Sequence, residues 1–174
     1  MRHKATALLP VLLLGLTACQ STTAGPEPVP GPHGTARAAA APAGFGDAAD
    51  IGGARFGEHL RITPHGLVDP AVAVEATSRP AAGHRWVGVE VTLANIGGAA
   101  HASPLTEAWV VDDRGRRYPA VSAGEITTGL PLAVDEALPV GEHRAGWLAF
   151  ELPYDTRAVR LHCTVGADER SWRL

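Results

Sequence analysis

The stretch His84–Gly97, HRWVGVEVTLANIG, constrains the fold more than any other part of the chain. Val87, Val89, Val91 and Leu93 alternate with Gly88, Glu90, Thr92 and Ala94. A period of two held over four repeats, with β-branched residues on the apolar side, is the pattern of a strand, because successive side chains point to opposite faces. Asn95, Gly97 and Gly98 then supply turn chemistry. The reading is a central strand of an antiparallel sheet, one face buried and the other partly open.

The same alternation recurs along the chain. Leu60 and Ile62 predict a strand that breaks at Pro64 and Gly66, and Val72 and Val74 predict another over 71–76. Ala108 and Val110 mark one side of a strand over 105–111. Asp112-Asp113-Arg114-Gly115 reads as a tight turn into a return strand through Tyr118. Ser122–Glu142 is irregular. Gly146, Leu148, Phe150 and Leu152 mark a further strong strand, and Val159, Leu161, Cys163 and Val165 the last clear one, with a short edge piece at Ser171–Leu174. No stretch carries a sustained helical period, so the fold is expected to be all-β, a sandwich or barrel of short strands.

Not all 174 residues are expected to belong to that fold. Arg2 and Lys4 precede a short apolar run, Ala5–Gly15, too short to span a bilayer as a helix. Leu16-Thr17-Ala18-Cys19 follows. It resembles the lipobox of bacterial lipoproteins, which implies cleavage before Cys19, acylation of its thiol, and a lipid anchor facing the extracytoplasmic side of the cell membrane. Stable anchoring takes more than one acyl chain, and that modification supplies at least two. Residues 1–19 are therefore expected to be signal peptide and lipobox. Residues 20–46, rich in Pro, Gly and Ala, are read as a disordered tether that cannot bury enough surface to offset its ordering entropy. Residues 47–174 are read as the folded domain.

Four further pieces stand in order: Val87–Gly97, Val110–Tyr118, Leu138–Glu142 and Gly146–Pro153. Together they resemble the telokin-like, Mpr-type domain of unknown function carried by Gram-positive surface lipoproteins. The resemblance implies an immunoglobulin-like antiparallel β-sandwich of about seven or eight strands, exposed outside the cell. It implies no established activity and no catalytic residues.

Charge and motifs narrow the function classes. Without Arg2 and Lys4 the balance is 13 basic against 18 acidic residues, which lacks the basic footprint that nucleic acid needs. No serine elbow, phosphate loop or dinucleotide fingerprint is present, so neither catalysis nor a cofactor is expected. The histidines past the signal (His33, His59, His65, His84, His101, His143 and His162) form no close ligand pair, and no metal site is expected. Asp112-Asp113 is read as a turn rather than a Ca²⁺ site. Cys163 is read as a small buried hydrophobe rather than a reactive thiol.

By parity Trp86, Trp109 and Trp147 fall off the apolar face of three separate strands. Either they form an exposed partner-binding surface, the candidate site here, or Ser122–Glu142 or the N-terminal piece folds over them as a satellite core. The expected function is an anchored binding or interaction module of the cell envelope, its partner an envelope protein or ligand. The alternative is a small extracytoplasmic hydrolase or metal-handling protein on the same fold. Mass spectrometry of the membrane fraction is expected to find a diacylglyceryl-modified peptide starting at Cys19. An unlipidated chain with another N-terminus would overturn the anchor.

Overall fold

The computed structural model describes residues 41–53, 55–101, 107–126 and 129–174. The lipobox with Cys19, and residues 20–40 of the expected tether, lie outside them. Eight strands follow in order: β1 (Ala49–Gly52), β2 (His59–Ala71), β3 (His84–Asn95), β4 (Glu107–Asp112), β5 (Arg117–Val121), β6 (His143–Pro153), β7 (Ala158–Val165) and β8 (Asp168–Arg173). All pairings between them are antiparallel, in the spatial order β1-β2-β3-β6-β5-β4-β7-β8, and the described residues contain no helix. This is the immunoglobulin-like sandwich in outline. One layer is built on β1, β2, β3 and β6, the other on β4, β7 and β8.

Strand β5 belongs to both layers. Arg117, Tyr118 and Pro119 pair with Val111, Val110 and Trp109 of β4, whereas Ala120 and Val121 pair with Phe150 and Ala149 of β6. The far edges also meet. Arg170 Nε donates to the Asp50 carbonyl, Trp172 Nε1 donates to the Asp47 carbonyl, and Ala43 bridges Trp172. Regular pairing thus starts at Ala43, four residues before the expected domain boundary, because the chain just ahead of Asp47 closes the gap between β1 and β8.

The core follows from the alternation. Val87, Val89, Val91 and Leu93 of β3 are fully buried and pack in one cluster with Leu60 and Ile62 of β2, Leu148, Phe150 and Leu152 of β6, and Val110, Leu161, Cys163 and Trp172 of the other layer. The expected central strand is central, flanked by β2 and β6 over most of its length. The expected turn at Asp112–Gly115 joins β4 to β5.

Three expectations need correction. Pro64 and Gly66 do not end the second strand. Pro64 pairs with Val91 and Gly66 with Glu90, leaving His65 as the extra residue of a bulge. Strand β1 covers only His59–Ile62, so beyond it β2 is an edge, where a proline and a bulge are tolerated. The expected strand over 71–76 is reduced to one bridge, Ala73 to Ile126. There Val72 and Val74 are exposed and the smaller Ala71 and Ala73 face inward, the reverse of what side-chain size suggests. The C-terminal edge piece starts earlier, at Asp168, and its Trp172 is a core residue.

Phe150 is fully buried between the two layers. Its replacement by alanine is expected to cost about 3–5 kcal/mol, read as a lower urea midpoint. A loss below about 1 kcal/mol would contradict its place in the core.

Candidate functional site

The departure of β5 from β4 opens the sheet. Past Pro119, strand β5 turns to β6, and the first residues of β4 lose their neighbour on that side. A cleft of about 440 Å³ lies at this fork, with Ala108, Ala120, Val134 and Leu148 as its apolar lining and Glu107, Trp109 and Arg117 among its polar and aromatic walls.

Trp109 stands on the outer face of its layer, since its neighbours Ala108 and Val110 point into the core. Two side chains flank its ring. The Arg117 guanidinium lies 5.0 Å from the ring centroid. The His162 imidazole is stacked at 5.0 Å with 13° between the planes. His162 is the direct cross-strand partner of Trp109, and its Nδ1 lies 2.6 Å from Glu169 Oε1. A carboxylate only accepts, so this bond puts the proton on Nδ1. Trp109 Nε1, His162 Nε2 and Arg160 Nε are all buried without a hydrogen-bond partner. These three nitrogens come from two adjacent strands of one face. Most buried polar groups in folded proteins are satisfied, so the grouping is informative.

The other two candidate tryptophans lie in the opposite layer. Trp86 is buried with Ala71, Ala123, Ile126 and Ala149, and its Nε1 donates to the Ser78 carbonyl at 3.3 Å. Trp147 packs over Gly88, where an added Cβ would sit 3.1 Å from the indole and 2.7 Å from Ile126 Cδ1. The Trp147 amide donates to the Leu130 carbonyl at 3.0 Å, and the Leu132 amide donates to the Trp147 carbonyl at 2.9 Å. The three rings therefore form no common surface. Trp86 and Trp147 belong to a satellite core beneath part of the irregular segment after β5, and Trp109 alone adjoins the cleft.

Several other groups carry structure rather than chemistry. Cys163 is fully buried, and burial pushes its thiol up to about 12. Glu58 and His101 are buried together at 4.0 Å. Burial lowers the His101 pKa more than nearby Glu58 raises it. Among the described residues no group of three or more His, Cys, Asp or Glu could hold a metal ion. The described residues contain no helix long and apolar enough to cross a membrane.

Asp112 sets the position of Arg117 and so one wall of the cleft. Its buried carboxylate accepts from the Arg114 and Arg116 amides, Arg116 Nε and the Tyr118 hydroxyl, at 2.8–3.0 Å. Burial alone would raise its pKa. The Arg116 amide and guanidinium, Tyr118 and the Arg114 amide outweigh that and hold it at about 2, against 3.8 for a free side chain.

A family profile described as Domain of unknown function (DUF4352) matches residues 58–170, well over half of the chain. The chain belongs to the DUF4352 family. Two solved structures are similar to it. A secreted protein of Mycobacterium tuberculosis, MPT63, superposes with a TM-score of 0.57 over 79% of this chain and 99% of its own, at 13% identity. An uncharacterised β-sandwich protein of Clostridium difficile 630 reaches 0.49 over 77% and 95%, also at 13% identity. No curated protein sequence matches the chain. The chain is thus a β-sandwich of a family of unknown function, and the likeness to MPT63 carries the fold without residue roles.

Linkage fixes the sign of a test at Asp112. A depressed carboxyl pKa contributes stability that is present above the unfolded value, 3.8, and lost as pH falls from there through about 2. The Asp112→Asn variant is expected to be less stable at neutral pH and to lose less than the parent between pH 4 and pH 2. Urea titrations across that range check it. Equal acid slopes in the two proteins would show that Asp112 is not held in its charged form by the fold.

Proposed function

We propose that this protein is a lipid-anchored lipoprotein on the extracytoplasmic side of the cell membrane, with a telokin-like, Mpr-type β-sandwich serving as a binding module in the envelope. The anchor rests on Arg2, Lys4, the apolar Ala5–Gly15 run and the Leu16–Cys19 lipobox. The telokin-like reading rests on the order and spacing of the four sequence pieces from Val87 to Pro153. The partner is an envelope protein or ligand rather than nucleic acid.

One observation carries the binding role. Beside a cleft with an apolar lining, Trp109 is 7% exposed and its Nε1 has no acceptor, and the nearby Arg160 Nε is in the same state. An unmet buried donor costs about 1–3 kcal/mol, which a bound acceptor would offset. The binding surface is therefore assigned to Trp109 and its neighbours, without Trp86 and Trp147.

A second reading, a small hydrolase, draws on His162. The Glu169 bond fixes its tautomer and leaves Nε2 free to act as a base, with Ser171 its direct partner on β8. No hydrogen bond joins Ser171 to His162 among the described residues, and binding remains the better reading.

Photo-crosslinking in intact cells tests the module. A crosslinker at Pro119, exposed beside the cleft, is expected to give adducts that one at Phe56, exposed elsewhere, does not. Adducts from both positions alike, or from neither, would remove the cleft as a binding site. Labelling of Ser171 by a fluorophosphonate, lost in His162→Gln, would favour the hydrolase.

A further inference from the structure

Arg61, Arg85, Arg114, Arg116 and Arg144 each hold a carboxylate. The other described arginines hold none, and the strand register puts three of these, Arg117, Arg160 and Arg173, in one line. Val111 pairs with Arg117 on one side and with Arg160 on the other, and Arg160 pairs with Arg173. With neighbouring strands about 4.8 Å apart, the line from β5 to β8 spans roughly 14 Å.

Like charges directly opposite each other destabilise a sheet. No overall excess of basic residues explains the line, because acidic residues outnumber basic ones in the chain. Three nearby carboxylates are already engaged, Asp112 by Arg116, Asp155 by Arg114, and Glu169 by His162, whereas Glu107 on the same face pairs with no arginine among the described residues. Arg160 Nε is buried without an acceptor, and so is Trp109 Nε1 in the next row of the face.

We infer that this face binds a linear anionic glycopolymer, one whose carboxylate or phosphodiester groups repeat along the chain. It lies across β5, β4, β7 and β8 with its anionic groups on Arg117, Arg160 and Arg173. The inference deepens the reading of this face as a binding site and rests on it. A single small anion would meet at most the adjacent pair Arg160 and Arg173. Nucleic acid fits poorly, because the Trp109 ring is 7% exposed and already packed by Arg117 and His162, and so offers no platform for a base.

The test uses the full chain carrying Cys19→Ser, so that no acyl group is attached. It is titrated calorimetrically at low salt with polygalacturonate, with poly(glycerol phosphate), with neutral dextran, with oligodeoxythymidylate and with phosphatidylglycerol vesicles. Binding is expected to one or both anionic glycopolymers and not to dextran, and to weaken as salt screens the charges. Preference between the two identifies the anionic group. The Arg117→Gln/Arg173→Gln variant is expected to bind roughly tenfold more weakly. Arg61→Gln/Arg144→Gln, altered in the other layer, is expected to bind as the parent does.

Should the first variant fold poorly, NMR of the unsubstituted chain gives a second readout. The Nε–H signals of Arg117, Arg160, Arg173 and Trp109 are expected to shift on titration. No binding to either glycopolymer, equal loss in the control variant, shifts confined to other residues, or tighter binding to oligodeoxythymidylate or vesicles would each overturn the inference. If Pro119 still crosslinks selectively in cells while both glycopolymers fail to bind, the cleft remains a binding site and only the ligand class falls.

Discussion

Strand β5 is the constraint on which the rest of the structure depends. Five residues, Arg117–Val121, pair with β4 at one end and with β6 at the other, and so join the two layers into one continuous sheet. A strand that changes partners part-way must satisfy its backbone groups in two directions. Pro119 sits at the changeover, paired with Trp109 just before Ala120 pairs with Phe150. Having no N–H, it removes one donor where the ladder is interrupted. The cleft at the head of β4 is the space that β5 leaves behind.

The turn before β5 decides where that changeover falls. Hairpin register follows from the geometry of the turn, and a slip of one residue would send every side chain to the opposite face. Asp112 holds the turn with four hydrogen bonds from Arg114, Arg116 and Tyr118. A buried carboxylate would be costly alone, but four donors meet most of what it can accept. Its bonds fix Tyr118 against the core and thereby turn Arg117 outward, over the Trp109 ring.

Most of the fold was legible in the sequence, because inward-facing residues of a sandwich alternate wherever one face is buried. Val87–Leu93, Gly146–Leu152 and Leu161–Val165 announced their strands and their buried sides, whereas Val159, expected to face inward with them, gives its core place to Ala158 where the pairing with β4 shifts register. Alternation is silent on what happens where neither face is strongly apolar. It lost β2 at Pro64, where an edge position allowed a bulge, and it misjudged 71–76, where small alanines rather than valines face inward. Trp172 escaped notice because β8 is otherwise polar, DERSWR, and its burial comes from the approach of Ala43 and Asp47 across the far edge. The site was legible only in part. Parity put all three tryptophans off the main core, but it cannot say which strands are neighbours. Trp86 and Trp147 are covered in one layer, whereas Trp109 meets Arg117 and His162 in the other. The line of arginines is likewise invisible until β5, β4, β7 and β8 are placed side by side.

That placement has an energetic consequence for recognition. Arg160, His162 and Trp109 project from regular strands whose opposite face is the fully buried set Val110, Leu161 and Cys163. Such a backing holds the backbone of the face in one arrangement before any ligand arrives. The ring of Trp109 is held further by Arg117 and His162, and His162 by Glu169. Binding costs include the ordering of side chains, at about 0.5–1.5 kcal/mol for each flexible one immobilised. Here the aromatic and imidazole groups are already ordered, so that cost is concentrated in the exposed heads of Arg117 and Arg173. A face built this way spends little on fixing its shape and keeps its adaptable charge at the rim, which suits a long ligand whose anionic groups vary in spacing.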